Sequence, residues 1–84
     1  MAAARAAWCL PHCFGTGVNL AASAHWMASA EAAPMMEYPV TASPLRNALV
    51  IGMPQMVEGE VVVGDAPGLG IDLDPATLDR YRVA

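Results

Sequence analysis

The stretch Trp8-Cys9-Leu10-Pro11-His12-Cys13-Phe14-Gly15-Thr16-Gly17 decides how this chain is read. Trp8 to His12 is a short apolar run closed by Pro11 and then by Gly15, the pattern of a buried strand whose carboxyl end lies near His12. Pro11 falls late in it, where a missing N–H costs least. Gly15-Thr16-Gly17 then makes a turn, with Thr16 suited to cap a helix from about Gly17 to Ala30. Along that helix Val18, Ala22, His25 and Ser29 share one stripe and Leu20, Ala24 and Met27 another, so it has little purely polar face and packs on several sides.

Downstream, Ala33-Pro34 ends the helix, and Met35-Met36-Glu37-Tyr38 reads as a second short strand closed by Pro39. The unit is strand, helix, strand. A helix of about 14 residues spans roughly 21 Å, which suits a crossover that re-enters a sheet in parallel. Upstream, Ala2 to Ala7 is nearly pure helix former and reads as the last turns of a helix. The apolar run from Met1 to Leu10 breaks at Pro11-His12 before it would serve as a secretory leader.

Thr41 to Leu49, containing Pro44, reads as irregular and is followed by Val50 to Gly52. Gln55-Met56-Val57, Glu58-Gly59 and Glu60-Val61-Val62-Val63 predict a β-hairpin with a two-residue turn. Ala66 to Gly70 is a tight loop, and Asp74-Pro75 opens a last helix to about Arg82, with Asp74 as cap and Pro75 in the first helical position.

With 84 residues there is room for one small domain. Its composition is unusual: 56% of the residues are hydrophobic, only 14% are charged, and Lys is absent. Typical domains carry about 25% charged residues, so this surface suits an element packed within something larger. Net charge is −4, with six of the eight acids after residue 57 and the four Arg residues scattered at 5, 46, 80 and 82. No basic stripe exists to neutralise phosphates, which argues against nucleic acid and anionic membrane as partners. Residues 6 to 30 carry no formal charge, yet Pro11, His12, Gly15, Gly17, Asn19 and His25 interrupt them, so a membrane span is not expected. Two cysteines are too few for a disulfide framework, which points to a reducing cytoplasmic setting.

Three constellations carry possible chemistry. His12 and Glu37 both fall at the carboxyl ends of the expected strands, where parallel α/β folds gather functional groups. On neighbouring strands about 4.8 Å apart they would flank one mouth and act on one small substrate. A hydrogen-bonded structural histidine is the plainer account of periodicity alone. Cys9, His12, Cys13 and His25 form a second group, but C-x3-C lacks zinc-knuckle spacing, and alternation puts His12 and Cys13 on opposite faces. Gly68-Leu69-Gly70-Ile71-Asp72-Leu73-Asp74 resembles phosphate and calcium loops only superficially; a turn followed by a helix cap accounts for it.

Taken in order, Pro11-His12-Cys13, Gly15-Thr16-Gly17, Ala24-His25, Met36-Glu37-Tyr38-Pro39, Pro44-Leu45-Arg46, Glu58 to Val63 and Pro67-Gly68-Leu69-Gly70-Ile71 closely resemble the carboxyl-terminal part of the mandelate racemase/muconate lactonizing enzyme family, in the enolase superfamily. The resemblance spans nearly the whole chain. It implies an α/β fold: part of a (β/α)8 barrel (strand 7, helix 7, strand 8) over residues 1–49, and over 50–84 a tail of hairpin, PGLG loop and short helix that packs towards a capping domain.

The chemistry implied is removal of the proton α to a carboxylate, for which enolase-superfamily sites use a Lys or His base with Mg²⁺. By the resemblance His12 is the general base, which in dehydratases also protonates the departing hydroxyl. Glu37 is the eighth-strand carboxylate that hydrogen-bonds the substrate carboxylate or enediolate oxygen. Both are assigned as catalytic, and no residue here as a metal ligand, because the family's acidic Mg²⁺ ligands and the Asp that partners the His lie on strands outside this sequence. The substrate implied is a small hydroxy acid or sugar acid, and the parent enzyme a cytoplasmic homo-oligomer.

Gly64-Asp65-Ala66-Pro67 departs from the family's more usual Pro-Asp-Gly-Pro, which touches a loop and leaves the chemistry alone. The Pro-His-Cys and Glu-Tyr-Pro contexts favour a sugar-acid dehydratase over a racemase or cycloisomerase, and the 84 residues alone are expected to give no turnover. The reading from another class is a small non-enzymatic protein that acts by association through its uncharged stretch; a zinc-binding protein comes last.

Overall fold

Thr16 starts the one long helix. In the computed structural model, which describes residues 2–84, helix α1 runs Gly17–Ser29. Thr16 is extended (φ −77°, ψ 174°), and its hydroxyl oxygen accepts the Asn19 N–H at 3.5 Å. The buried residues of α1 are Gly17, Leu20, Ala21 and Ala24, spaced as one face of a 3.6-residue period. Leu20 is in one of the stripes read from the sequence, but Gly17 and Ala21 are in neither. In a helix of nearly uniform small residues, burial follows what the neighbouring elements touch.

Those neighbours come from the stretch expected to be irregular. Pro44–Asn47 is a single helical turn, α2, because Pro44 presets its own φ and the Asn47 Oδ1 accepts the Ser43 N–H at 3.0 Å. After it, Leu49 and Val50 are buried, and β1 (Val50–Ile51) approaches the start of α1. A Cβ on Gly17 would lie 2.6 Å from Val50 Cγ2 and 2.9 Å from the Arg46 carbonyl oxygen. Only glycine permits this approach.

The hairpin forms as β2 (Met56–Val57) and β3 (Glu60–Val61), with Met56 opposite Val61 and Val57 opposite Glu60. Glu58 and Gly59 both have positive φ, 52° and 79°, as the two-residue turn matching strand twist requires. A second ladder is long-range: β1 pairs antiparallel with β4 (Asp72–Leu73), Val50 opposite Leu73, and the Asp74 N–H donates to the Leu49 carbonyl at 2.8 Å. Asp74 then caps α3 (Pro75–Arg80), accepting both the Thr77 N–H at 3.0 Å and the Thr77 hydroxyl at 2.6 Å.

Three expectations need correcting. Trp8–His12 and Met35–Tyr38 are not strands, so among the described residues no parallel strand-helix-strand ladder forms; both sheets are two-stranded and antiparallel. The reason is physical: a strand satisfies its N–H and C=O groups against a neighbour, and beside these runs the Cys9 N–H donates to the carbonyl of Ala32, ahead of the second run, at 2.7 Å with no ladder following it. The upstream Ala-rich run is a 3₁₀ turn, Ala3–Arg5, ended by Ala6 at φ 51°, and not an α-helix. The last helix stops at Arg80, two residues short of Arg82.

The core is small: Cys13, Leu20, Ala21, Ala24, Leu49 and Val50. A folded monomer of 8.8 kDa is expected to expose about 4,800 Å², and this chain exposes 6025 Å². Its radius of gyration is 14.1 Å, against about 12 Å for a compact domain of this length. Trp8, Phe14, Met35 and Val40 account for part of the excess. No helix among the described residues is long and apolar enough to cross a membrane.

Candidate active site

Cys13 orients the first catalytic candidate. Its side chain is in the core, 1% exposed, with Sγ 3.9 Å from the Pro11 carbonyl, which leaves the preceding His12 on the outside. On the far side of α1, the tie between Cys9 and Ala32 holds the returning chain beside the outgoing one. The Tyr38 hydroxyl donates to the Pro54 carbonyl at 3.0 Å and anchors the segment that carries Glu37.

Between these anchors His12 Nδ1 lies 2.8 Å from Glu37 Oε1. The two residues that the sequence put at one mouth therefore touch, though no sheet carries them. With Oε1 as the acceptor, Nδ1 bears the hydrogen of this bond, and in the neutral ring Nε2 is left with a lone pair. The side chains are 77% and 50% exposed, and water screens such a pair strongly. The Phe14 ring is stacked on the imidazole at 6.3 Å between centroids and 14° between planes. Phe14 is a contact that sequence reasoning passed over; the signal was an aromatic two residues beyond the histidine.

The other candidates are separate. His25 Nδ1 is 2.9 Å from the Ala21 carbonyl, an ordinary i−4 contact along α1, while Cys9 is exposed and Cys13 buried. Among the described residues no three His, Cys, Asp or Glu side chains converge on a metal position, so the zinc grouping has no geometric basis. The same test applies to Mg²⁺, which takes oxygen ligands in octahedral geometry. The carboxylate at this mouth already faces an imidazole, and among the described residues no group of acidic side chains fits a magnesium site.

In the glycine-rich segment, the Gly70 N–H closes a turn on the Pro67 carbonyl at 3.1 Å. Asp72 lies in β4, and Asp74 is the cap. The bond from the Thr77 hydroxyl, followed by that from the Thr77 N–H, lowers the Asp74 carboxyl below its ordinary 3.8.

Two concavities are lined by residues other than the pair itself. One of about 340 Å³ is lined by Met27, Met35, Met36, Met56 and Val61, among others, and another of about 430 Å³ by residues including Cys9, Trp26 and Glu31. The first adjoins the Glu37 segment through Met36 and Tyr38, and the Tyr38 hydroxyl is the one already engaged with the Pro54 carbonyl.

Comparison with known proteins follows the same line. The family described as enolase C-terminal domain-like matches residues 1–77. D-galactarolactone cycloisomerase of Agrobacterium fabrum is 34% identical over 88% of this chain and 22% of its own length. A D-galactonate dehydratase family member of Oceanicola granulosus is 44% identical over 75% of this chain and 15% of its own. Among solved structures, a mandelate racemase/muconate lactonizing enzyme from Jannaschia sp. CCS1 superposes with a TM-score of 0.85 at 38% identity, over 98% of this chain and 21% of that one. The chain thus spans about a fifth of the length of these relatives, or less.

Proposed function

Because the chain belongs to the enolase C-terminal domain-like family of mandelate racemase/muconate lactonizing enzymes, we propose that it supplies the proton-transfer pair of an enzyme acting on sugar acids, most simply a dehydratase. The observation that carries this reading is the 2.8 Å contact between His12 Nδ1 and Glu37 Oε1. It holds the imidazole in the tautomer whose Nε2 accepts a proton.

In the proposed reaction, Nε2 takes the proton α to the substrate carboxylate, and the electron pair of that C–H bond forms an enediolate. The imidazolium then returns a proton to the departing β-hydroxyl, which leaves as water. The enol product tautomerises to the keto acid. Glu37 orients the imidazole through Oε1, and its other oxygen, in the protonated form this role calls for, donates to the enediolate oxygen. General acid–base catalysis of this kind contributes about 10²- to 10⁴-fold.

The experiment is a chimaera in which this chain replaces the matching part of D-galactarolactone cycloisomerase. Exchange of the substrate α-proton with deuterated solvent is expected, and His12→Asn is expected to slow it by at least about 10²-fold. A chimaera that exchanges equally well with His12→Asn rules the assignment out. The 84 residues alone, supplied with Mg²⁺ and a sugar acid, are expected to give no turnover, and appreciable turnover overturns that expectation.

Two other readings have an observation each. The identity to a cycloisomerase favours lactone ring chemistry at the same pair, and product analysis of the chimaera separates it from dehydration. The excess exposed surface favours association, and sedimentation of the purified chain tests that.

A further inference from the structure

Among the described residues Arg46 is the one charged residue in the buried set, 3% exposed, and its Nη2 is out of contact with solvent and has no hydrogen-bond partner among them. It is fixed there by its backbone: α2 is a single turn packed on α1, and the Arg46 carbonyl lies against Gly17, where no Cβ is tolerated. The acidic side chains are engaged elsewhere or remote. Glu37 faces His12, Asp74 faces Thr77, Asp79 faces Arg82, and among the described residues none is within ion-pair distance of Arg46. A guanidinium does not shed its proton to escape burial, and an unpaired buried charge is strongly destabilising.

We propose that Arg46 is a carboxylate-binding residue whose acceptor comes from outside this chain. The planar fork of the guanidinium matches the paired oxygens of a carboxylate, and the acceptor supplies the partner that Nη2 lacks. The site is separate from the His12–Glu37 pair, and its test does not depend on catalysis.

Two probes distinguish the source of the carboxylate: formate, for a small free acid, and the blocked peptide acetyl-Ala-Glu-Ala-amide, for an acidic side chain of an associating polypeptide. The folded fraction of the 84-residue chain is followed by far-UV circular dichroism and tryptophan fluorescence in urea, against chloride at equal ionic strength. At a probe concentration about ten times its dissociation constant, the folded-to-unfolded ratio is expected to rise roughly tenfold. A response to the peptide at lower concentration than to formate assigns a side-chain source; a response to formate alone assigns a small acid. Arg46→Met is expected to abolish the response and, in chloride, to raise the ratio by about tenfold or more, since an apolar side chain carries no uncompensated charge. In a second measurement, the Arg46 Nε–H resonance is expected to shift saturably with either probe. The proposal is overturned if neither probe acts, if Arg46→Met responds like the wild type, or if Arg46→Met is less folded in chloride, which would mean the guanidinium is already satisfied within the chain.

Discussion

The knot formed by the start of α1, α2, β1 and β4 and the mouth formed by the two segments flanking α1 are both rich in apolar residues, yet the knot buries Gly17, Leu20 and Val50 while the mouth buries Cys13 alone among its described residues. In the knot, Gly17 lies directly against Val50 and the Arg46 backbone, Leu20 is buried, and a long-range ladder locks residues 50–51 to 72–73. At the mouth, Trp8 and Met35 are 73% and 59% exposed, and the His12–Glu37 contact bridges two segments that form no ladder. Burial, not local propensity, divides the two. Stability belongs to the knot, and the proposed chemistry belongs to the mouth.

The comparison is broken most directly by emptying the knot. Leu20 is 1% exposed, and Leu20→Ala is expected to cost about 3 kcal/mol through lost transfer free energy and a residual cavity. The urea midpoint measures it, and a change below about 1 kcal/mol would mean that α1 is not docked. Gly17→Ala is next. Its methyl group would meet Val50 and the Arg46 carbonyl inside contact distance, so a cost of about 2 kcal/mol is expected from overpacking, against a gain in helix propensity of about 1. Gly64→Ala is the control: nothing lies within 4 Å of a Cβ there, and a change within about 0.5 kcal/mol is expected.

Substitutions at the mouth should behave oppositely. His12→Asn and Glu37→Gln remove an exposed, screened pair and are expected to change stability by no more than about 1 kcal/mol. In the chimaera the same changes are expected to remove proton exchange. A large loss of stability from either would show that the contact is structural and would move His12 back to the plainer reading of a hydrogen-bonded histidine.

Much of the local structure was legible in the sequence because its causes are local. Thr16 capping α1, the positive-φ pair Glu58-Gly59 and the Asp74-Pro75 opening of α3 each depend on residues within a turn of one another. The β1–β4 ladder was not legible, because two residues opposite two others, 21 and 23 positions away, leave no periodic trace. The turn at Pro44 was hidden by its proline, which also reads as a breaker. The two strands expected around α1 failed for the complementary reason: their apolar runs have the composition of buried strands, but a strand needs a paired neighbour, and none lies alongside them among the described residues. The pairing of His12 with Glu37 survived that failure, because it depends on α1 returning the chain to its starting end and not on a sheet.

The smallest expected effect lies at the edge of the knot and tests whether α3 is held by its cap alone. Asp74 accepts two hydrogen bonds from Thr77, and both favour the carboxylate, which lowers its carboxyl below the ordinary 3.8. A group with a lowered folded-state value contributes stability above its unfolded value and loses it as pH falls through the folded one. The contribution should therefore be complete at neutral pH and fade only below 3.8. The Thr77 amide resonance is the direct probe, expected to titrate below that value and to move with loss of helical signal from Pro75–Arg80. Asp74→Asn keeps an acceptor at the cap and should hold the helix while erasing the acid transition; Asp74→Ala should fray it at every pH. If Thr77 instead titrates at or above 3.8, the cap bonds do not favour the charged form, and α3 must be held through the Asp74 N–H to Leu49 and the ladder behind it.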